Sequence, residues 1–266
     1  MRASTPLGAW WGTCSSEWIK YRRTFTWPLV LLGPVLWEAA VASYLTLRPS
    51  SGWREVFAWT FEAWTQLFIP IGAALLAGLA ASCEAQAGDW RALRTRPVAP
   101  GLLYAAKLLV LLAQTLIGTA LVGGAAGAAG LAIGAPGPVP WATLALAAAL
   151  AWVAALPVVS LQLWVATARG PGLSLGLGAV GLLLAAIVGG TSMGDAIWPL
   201  VPWAWPPRIL AVPALQVLGG AVSEAASIRA SLILRYLLAA GPGVGLLLSG
   251  AGILWFSRRE VTGEPA

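Results

Sequence analysis

Six stretches of the chain are each long enough and apolar enough to cross a bilayer as a helix, and that repetition limits everything else the sequence can be. A hydrocarbon core of about 30 Å needs roughly 20 consecutive apolar residues in helical conformation. The runs fall at about residues 25–47, 63–83, 103–131, 141–168, 173–190 and 232–256. A backbone in lipid must satisfy its own polar groups, so such runs are helices rather than open strands. The expected fold class is an all-α membrane protein with six transmembrane helices. With 59% hydrophobic and only 10% charged residues in 266, a soluble globular fold is excluded.

A formal net charge of +6 would point a soluble protein toward nucleic acid. Here the basic residues sit beside the ends of apolar runs, so orientation explains them and no nucleic-acid partner is expected. Arg2, Lys20, Arg22, Arg23, Arg91, Arg94, Arg96, Lys107, Arg169, Arg258 and Arg259 fall on one side of a six-span arrangement. Arg48, Arg54, Arg208, Arg229 and Arg235 fall on the other. The excess marks the cytoplasmic side and puts both termini there. Histidine is absent, and Cys14 and Cys83 are the only cysteines, which excludes His-centred catalysis, His-ligated iron or zinc, and a four-cysteine zinc site. Both cysteines lie on the expected inner side, where a disulfide is not expected. No metal and no cofactor is expected on this chain.

The longest charged interruption covers residues 84–107, where Arg91, Arg94, Arg96 and Lys107 face only Glu84 and Asp89. Trp90 and Leu93, three apart and flanked by Arg91 and Arg94, describe a short amphipathic helix at the inner interface. Pro97 and Pro100 end it, and Gly101 frees the chain to re-enter the membrane. An ordinary basic turn is the plainer alternative. Residues 10–21 form a second amphipathic stretch, with Trp10, Trp11, Trp18 and Ile19 among Glu17 and Lys20, followed by Arg22 and Arg23. It is too short and too polar for the apolar core of a secretory signal, so an uncleaved N-terminus on the inner side is expected.

Within the spans, Pro28 and Pro34 bend or unwind the inner half of the first. Glu38 lies deep in that run; a carboxylate there costs roughly 2–3 kcal/mol on insertion scales, so it must face protein or water, in a functional or a structural role. Gly118, Gly123, Gly127 and Gly130 give the third span the small-residue spacing of close helix packing. On the outer side, residues 48–62 read as an interfacial segment whose Trp53, Phe57, Trp59 and Phe61, with Trp64, make an aromatic belt. Residues 191–229 are the longest outer segment, with Asp195, a Trp/Pro-rich patch at 198–207, and Arg208. Its stretch 209–222 is apolar but too short to cross and reads as a re-entrant or interfacial hairpin.

Neither lysine sits behind a glycine with the spacing of a phosphate-binding loop, so any ATP must be hydrolysed elsewhere. Gly190-Thr191-Ser192-Met193-Gly194 matches the nucleophile elbow of serine hydrolases, but that motif needs a strand-to-helix turn and a base, and there is no histidine. Glu38, Glu55, Glu62, Asp195 and Glu224 are spread along the outer half rather than converging, which weighs against a membrane-embedded lipid-modifying enzyme. A passive scaffold is a further alternative.

The stretch Glu84…Gly88-Asp89-Trp90-Arg91-Ala92-Leu93…Pro97…Tyr104…Lys107 resembles the loop between the second and third spans of type-2 ABC-exporter permeases, where a Glu, a Gly, a bulky hydrophobic or basic pair, a Pro and a Lys recur. Ser16-Glu17-Trp18-Ile19-Lys20-Tyr21-Arg22-Arg23-Thr24-Phe25 is similar to the opening of the lantibiotic-immunity branch of that family. The resemblance covers the chain in length, span count and loop order. It implies a permease without its own ATPase, in a bacterial cytoplasmic membrane, paired with a second permease, identical or related. Two cytoplasmic ATP-binding subunits would hold ATP and Mg. It further implies a connecting helix in a segment 1–24, with Glu17, Trp18, Lys20, Arg22 and Arg23, ahead of a six-span domain 25–266. Glu84, Gly88, Asp89, Trp90, Arg91, Leu93 and Arg94 would form the coupling helix that meets the ATPase, and a re-entrant hairpin would precede the last span. The implied activity is ATP-driven expulsion of an amphipathic peptide antibiotic; export of a drug, lipid or polysaccharide is the alternative, since the tryptophan-rich outer segments depart from the family pattern.

Overall fold

The computed structural model describes residues 6–22, 24–48, 51–86, 98–217 and 223–258, and among them there is helix and no strand. Helix α1 (Pro6–Arg22) is followed by α2 (Thr26–Thr46). Helix α3 (Trp53–Ala63) runs through a π turn (Trp64–Phe68) into α4 (Ile69–Gln86). Helices α5 (Pro100–Ala132) and α6 (Trp141–Arg169) follow, then α7 (Pro171–Leu184), which ends in a second π turn (Ala185–Gly189). After short 3-10 turns come α8 (Trp205–Ile209), α9 (Ala211–Val217) and the long α10 (Glu224–Arg258). Six helical units are long and apolar enough to cross a membrane: Thr26–Thr46, Trp53–Glu84, Pro100–Ala132, Trp141–Arg169, Pro171–Gly189 and Glu224–Arg258. The all-α, six-span fold class read from the sequence is the one the structure has.

Two of the expected boundaries need correction. Residues 53–62 are continuous with the second span, whose helix already begins at Trp53 instead of residue 63 and extends over 32 residues. Gly52 is extended at its start and donates its N–H to Glu55 Oε2 at 2.8 Å, which satisfies an otherwise orphaned donor. Of the aromatic residues read as a belt, Phe57 and Phe61 are buried in the core beside Val56, while Trp59 is exposed. The last span likewise begins at Glu224 instead of residue 232. Ser223 Oγ accepts the N–H of Ala226 at 3.2 Å, and Glu224 places a negative charge in the first turn, where the helix dipole favours it.

Helix α6 is the axis of the bundle and packs against α4, α5, α7 and α10. Its Ala147, Ala151, Ala154 and Ala155 are buried, and small side chains let neighbouring backbones come close. Gly241 and Gly245 of α10 do the same from the other side: a β-carbon there would come within 3.0 Å of Val153 O and 3.1 Å of Leu156 Cβ. The glycines of α5 also serve packing, since side chains at Gly127 and Gly130 would collide with the rings of Trp141 and Trp53.

At the end of α7 the π turn disturbs the regular ladder, and Arg208 of α8 closes it. Its Nη2 donates to Val188 O at 2.8 Å and to Thr191 O at 2.6 Å, while Nη1 pairs with Asp195. Helix α9 lies in the stretch read as a hairpin and packs on α3, α6 and α10; residues 218–222, where a returning arm would run, are outside the described residues.

Candidate functional site: a buried charged junction

Helix α1 offers one face to the bundle through residues four apart, Thr13, Glu17 and Tyr21, all buried. On its other sides Trp11 and Ile19 are exposed, a distribution suited to a helix lying in the interface of a bilayer. Trp18 meets Trp27 of α2 edge-on, with ring centroids 5.1 Å apart. The turn between the two helices is closed by Thr24 and Thr26, whose hydroxyls donate to Tyr21 O at 2.9 and 3.1 Å.

Opposite that face, α5 carries Lys107, whose ammonium group is fully enclosed. Lys107 Nζ donates to Glu17 Oε2 at 2.9 Å, to Glu84 Oε1 at 2.8 Å and to Tyr21 Oη at 3.1 Å. Lys20, one turn on from Glu17, pairs with Glu17 and donates to Glu84 Oε1 at 2.7 Å. The side chains of Glu17, Glu84 and Lys107 are 2%, 3% and 3% exposed, against 28% for Lys20. Two carboxylates and two ammonium groups thus form one neutral cluster, buried on one side and open to solvent only through Lys20. Burial pushes the Tyr21 phenol well above its ordinary range, and the Glu17 carboxylate acts in the same direction while Lys107 opposes both. The phenol therefore stays neutral, accepts from Lys107 and donates to Glu17 Oε2 at 3.4 Å.

Desolvating ions costs several kcal/mol each, and attraction repays this only where the geometry is good and the remaining hydrogen-bonding sites are used. Here every charge has at least two partners. The arrangement is chemically a joint: three segments far apart in sequence, α1, the end of α4 and the start of α5, meet at one point. Glu84 stands just before residues 87–97, which lie outside the described residues, and Lys107 stands just after them. On the far side of that gap, Gly101 sits so close to α10 that a β-carbon would press on Ser257 Oγ, so the return of the chain is also held.

The sequence-predicted residues distribute as follows. Glu17, Lys20 and Glu84 come together in the junction; Trp18 is half-buried beside it and Arg22 is exposed. Gly88, Asp89, Trp90, Arg91, Leu93 and Arg94, and also Arg23, are outside the described residues. Glu38 is elsewhere, buried between α2 and α3, where Thr60 Oγ1 donates to its Oε2 at 3.0 Å and its Oε1 has no partner among the described residues. Lys107 and Tyr21, though both present in the motifs, were not singled out as site residues. The signal for Lys107 is its place a turn inside the apolar run that begins at about residue 103, where a cation needs a partner. Among the described residues no group of three or more His, Cys, Asp or Glu comes together that could hold a metal ion.

The chain matches the family model described as "ABC-2 family transporter protein" over residues 13–185. It belongs to that family. This ABC-2 family transporter is accordingly a multi-pass membrane protein and the permease subunit of an ABC transporter, a transport subunit that is not itself catalytic. The family also implies ATP-binding partner subunits. The matched region opens on the buried face of α1 and runs through α7, so it contains the whole junction. No curated protein matches the chain.

Proposed function

We propose that this permease is one half of an ATP-driven exporter in a bacterial cytoplasmic membrane, with both termini on the cytoplasmic side. Its partners are a second permease, identical or related, and two cytoplasmic ATP-binding subunits that hold ATP and Mg. Segment 1–24 is the connecting helix and residues 25–266 the permease domain. The coupling helix at about residues 84–96, with Trp90 and Leu93 as apolar anchors and Arg91 and Arg94 as charged contacts, receives the push of the ATP-binding subunit.

The observation that supports this reading is the junction. A contact helix can move a bundle only if its base is fixed to the spans it must move, and Glu84 and Lys107, on either side of residues 87–97, are bonded to each other and to α1. Closure of the partner subunits would then shift α1, α4 and α5 as one body and bias the bundle between two packings. The exported molecule is an amphipathic peptide antibiotic in this reading, as in lantibiotic immunity; a drug, lipid or polysaccharide is the second reading. The test is to purify the tagged chain from its native membrane and identify its companions. An ATP-binding subunit in stoichiometric amount supports the proposal, whereas a chain that performs its function with no nucleotide-hydrolysing companion overturns it.

A further inference from the structure

A cavity of about 90 Å³ lies among α2, the first π turn with α4, α5 and α6, and no charged residue lines it. Trp64 and Phe68, at the two ends of the π turn, stack with centroids 5.3 Å apart and form one wall. Such one-turn π segments interrupt a helix at a cost and concentrate at functional sites. The indoles of the lining are occupied: Trp64 Nε1 donates to Thr119 Oγ1 at 3.2 Å, and Trp152 Nε1 to Leu112 O at 3.1 Å. Gln114 is the exception. It lines the cavity, is 1% exposed, and neither its Oε1 nor its Nε2 has a partner among the described residues.

A buried amide with both ends unpaired needs an explanation, because each unsatisfied group costs about 1–3 kcal/mol. A single water is a poor one: buried waters make about three hydrogen bonds, and among the described residues of the lining Gln114 alone has side-chain polar atoms with no partner. At about 90 Å³ the cavity is larger than one water needs and smaller than the roughly 150 Å³ cavity that holds a benzene ring, which limits an organic occupant to a short segment. Gly33 of α2 and Gly72 of α4 belong to its lining, both half-buried, and a β-carbon at either would meet nothing within 4 Å. Helix α2 packs along α5 and α4 along α6, so the gap between α2 and α4 is the side on which we place the entrance.

We propose that the cavity is a binding site, entered from the membrane, for an uncharged molecule with an apolar body and a single group that both donates and accepts a hydrogen bond, a primary amide or a hydroxyl. Gln114 Nε2 donates to the ligand oxygen and Oε1 accepts from its N–H or O–H, which satisfies both orphaned atoms at once. Trp64 and Phe68 hold the apolar part. The site requires no ATP, so it stands or falls separately from the exporter reading.

The probe is dodecanamide carrying a diazirine on its chain, photolysed with the purified full chain in phosphatidylcholine nanodiscs, with adducts mapped by mass spectrometry. Adducts are expected on residues 64–76 and 114–119, displaced by unlabelled dodecanamide but not by its N,N-dimethyl derivative, which has no N–H. Gln114→Leu is expected to lower this labelling about tenfold, the equivalent of losing one to two hydrogen bonds. Gly72→Leu, which extends into open space, should block it by occupancy while leaving the fold intact. If Gln114→Leu fails to fold, Gly72→Leu and the dimethyl competitor carry the test. Adducts scattered over the exposed helix faces, or labelling indifferent to Gln114→Leu, to Gly72→Leu and to the dimethyl group, overturn the proposal.

Discussion

The charged junction and the cavity beside Gln114 differ in how fully their hydrogen-bonding capacity is used. In the charged junction of Glu17, Lys20, Glu84, Lys107 and Tyr21, every ion has two or more partners on other side chains. In the neutral cavity, Gln114 has none among the described residues. Saturated polar networks fix geometry, while unsatisfied ones leave free energy that a partner can recover. The first cluster has the character of a permanent fastening between α1, α4 and α5. The second has the character of a contact awaiting its other half.

Replacing the central ammonium should separate the two most sharply. Lys107→Met leaves two buried carboxylates facing each other with only the half-open Lys20 for compensation, and the expected loss is about 3–5 kcal/mol. A large fall in the thermal midpoint of the detergent-solubilised protein would register it; an unchanged midpoint would mean the junction is not a fastening at all. Adding Glu17→Gln and Glu84→Gln to that variant should recover most of the loss, because breaking a buried pair costs far more than neutralising it entirely. At the solvent edge of the same cluster, Lys20→Ala should cost only about 1–2 kcal/mol, since water can reach the carboxylates where the lysine stood. Gln114→Leu should have the opposite sign, a gain of about 1 kcal/mol as an unpaired buried amide disappears at near-constant volume. A clear destabilisation by Gln114→Leu would mean the cavity cluster is as structural as the junction.

The spans were legible because a run of about 20 apolar residues has few other ways to exist in a membrane. Their starting points were less so. Trp53, Phe57 and Phe61 suggest a belt at the headgroup level, yet such aromatics are equally suited to a helix–helix contact, and α3 packs on α2 and α5, with the Trp53 ring against Gly130. The start at Glu224 carries a signal of its own, the capping residue Ser223 followed by an acidic first turn, but it lies outside the uninterrupted apolar sequence.

The junction was half visible. Glu17 and Lys20 are a local pair three residues apart, and Glu84 and Lys107 both belong to the quoted motif, but nothing in their separation of 23 positions says that an ion pair joins them. The surrounding basic residues made the whole segment look like surface, when Lys107 is in fact among the most enclosed side chains. Glu38 behaved as its depth demanded, and it found Thr60 as its partner. Gln114 drew no attention because a single uncharged amide barely disturbs an apolar run.

The central claim is that this permease is worked from the junction side by an ATP-binding subunit. It is tested most directly by a single cysteine at position 90 (Trp90→Cys) in a chain carrying Cys14→Ser and Cys83→Ser. In native membranes, this cysteine is expected to cross-link to the ATP-binding subunit, and Lys107→Met is expected to weaken that cross-link. Labelling of the same cysteine in intact cells by a reagent that cannot cross the membrane, with no cross-linked subunit, would contradict the account.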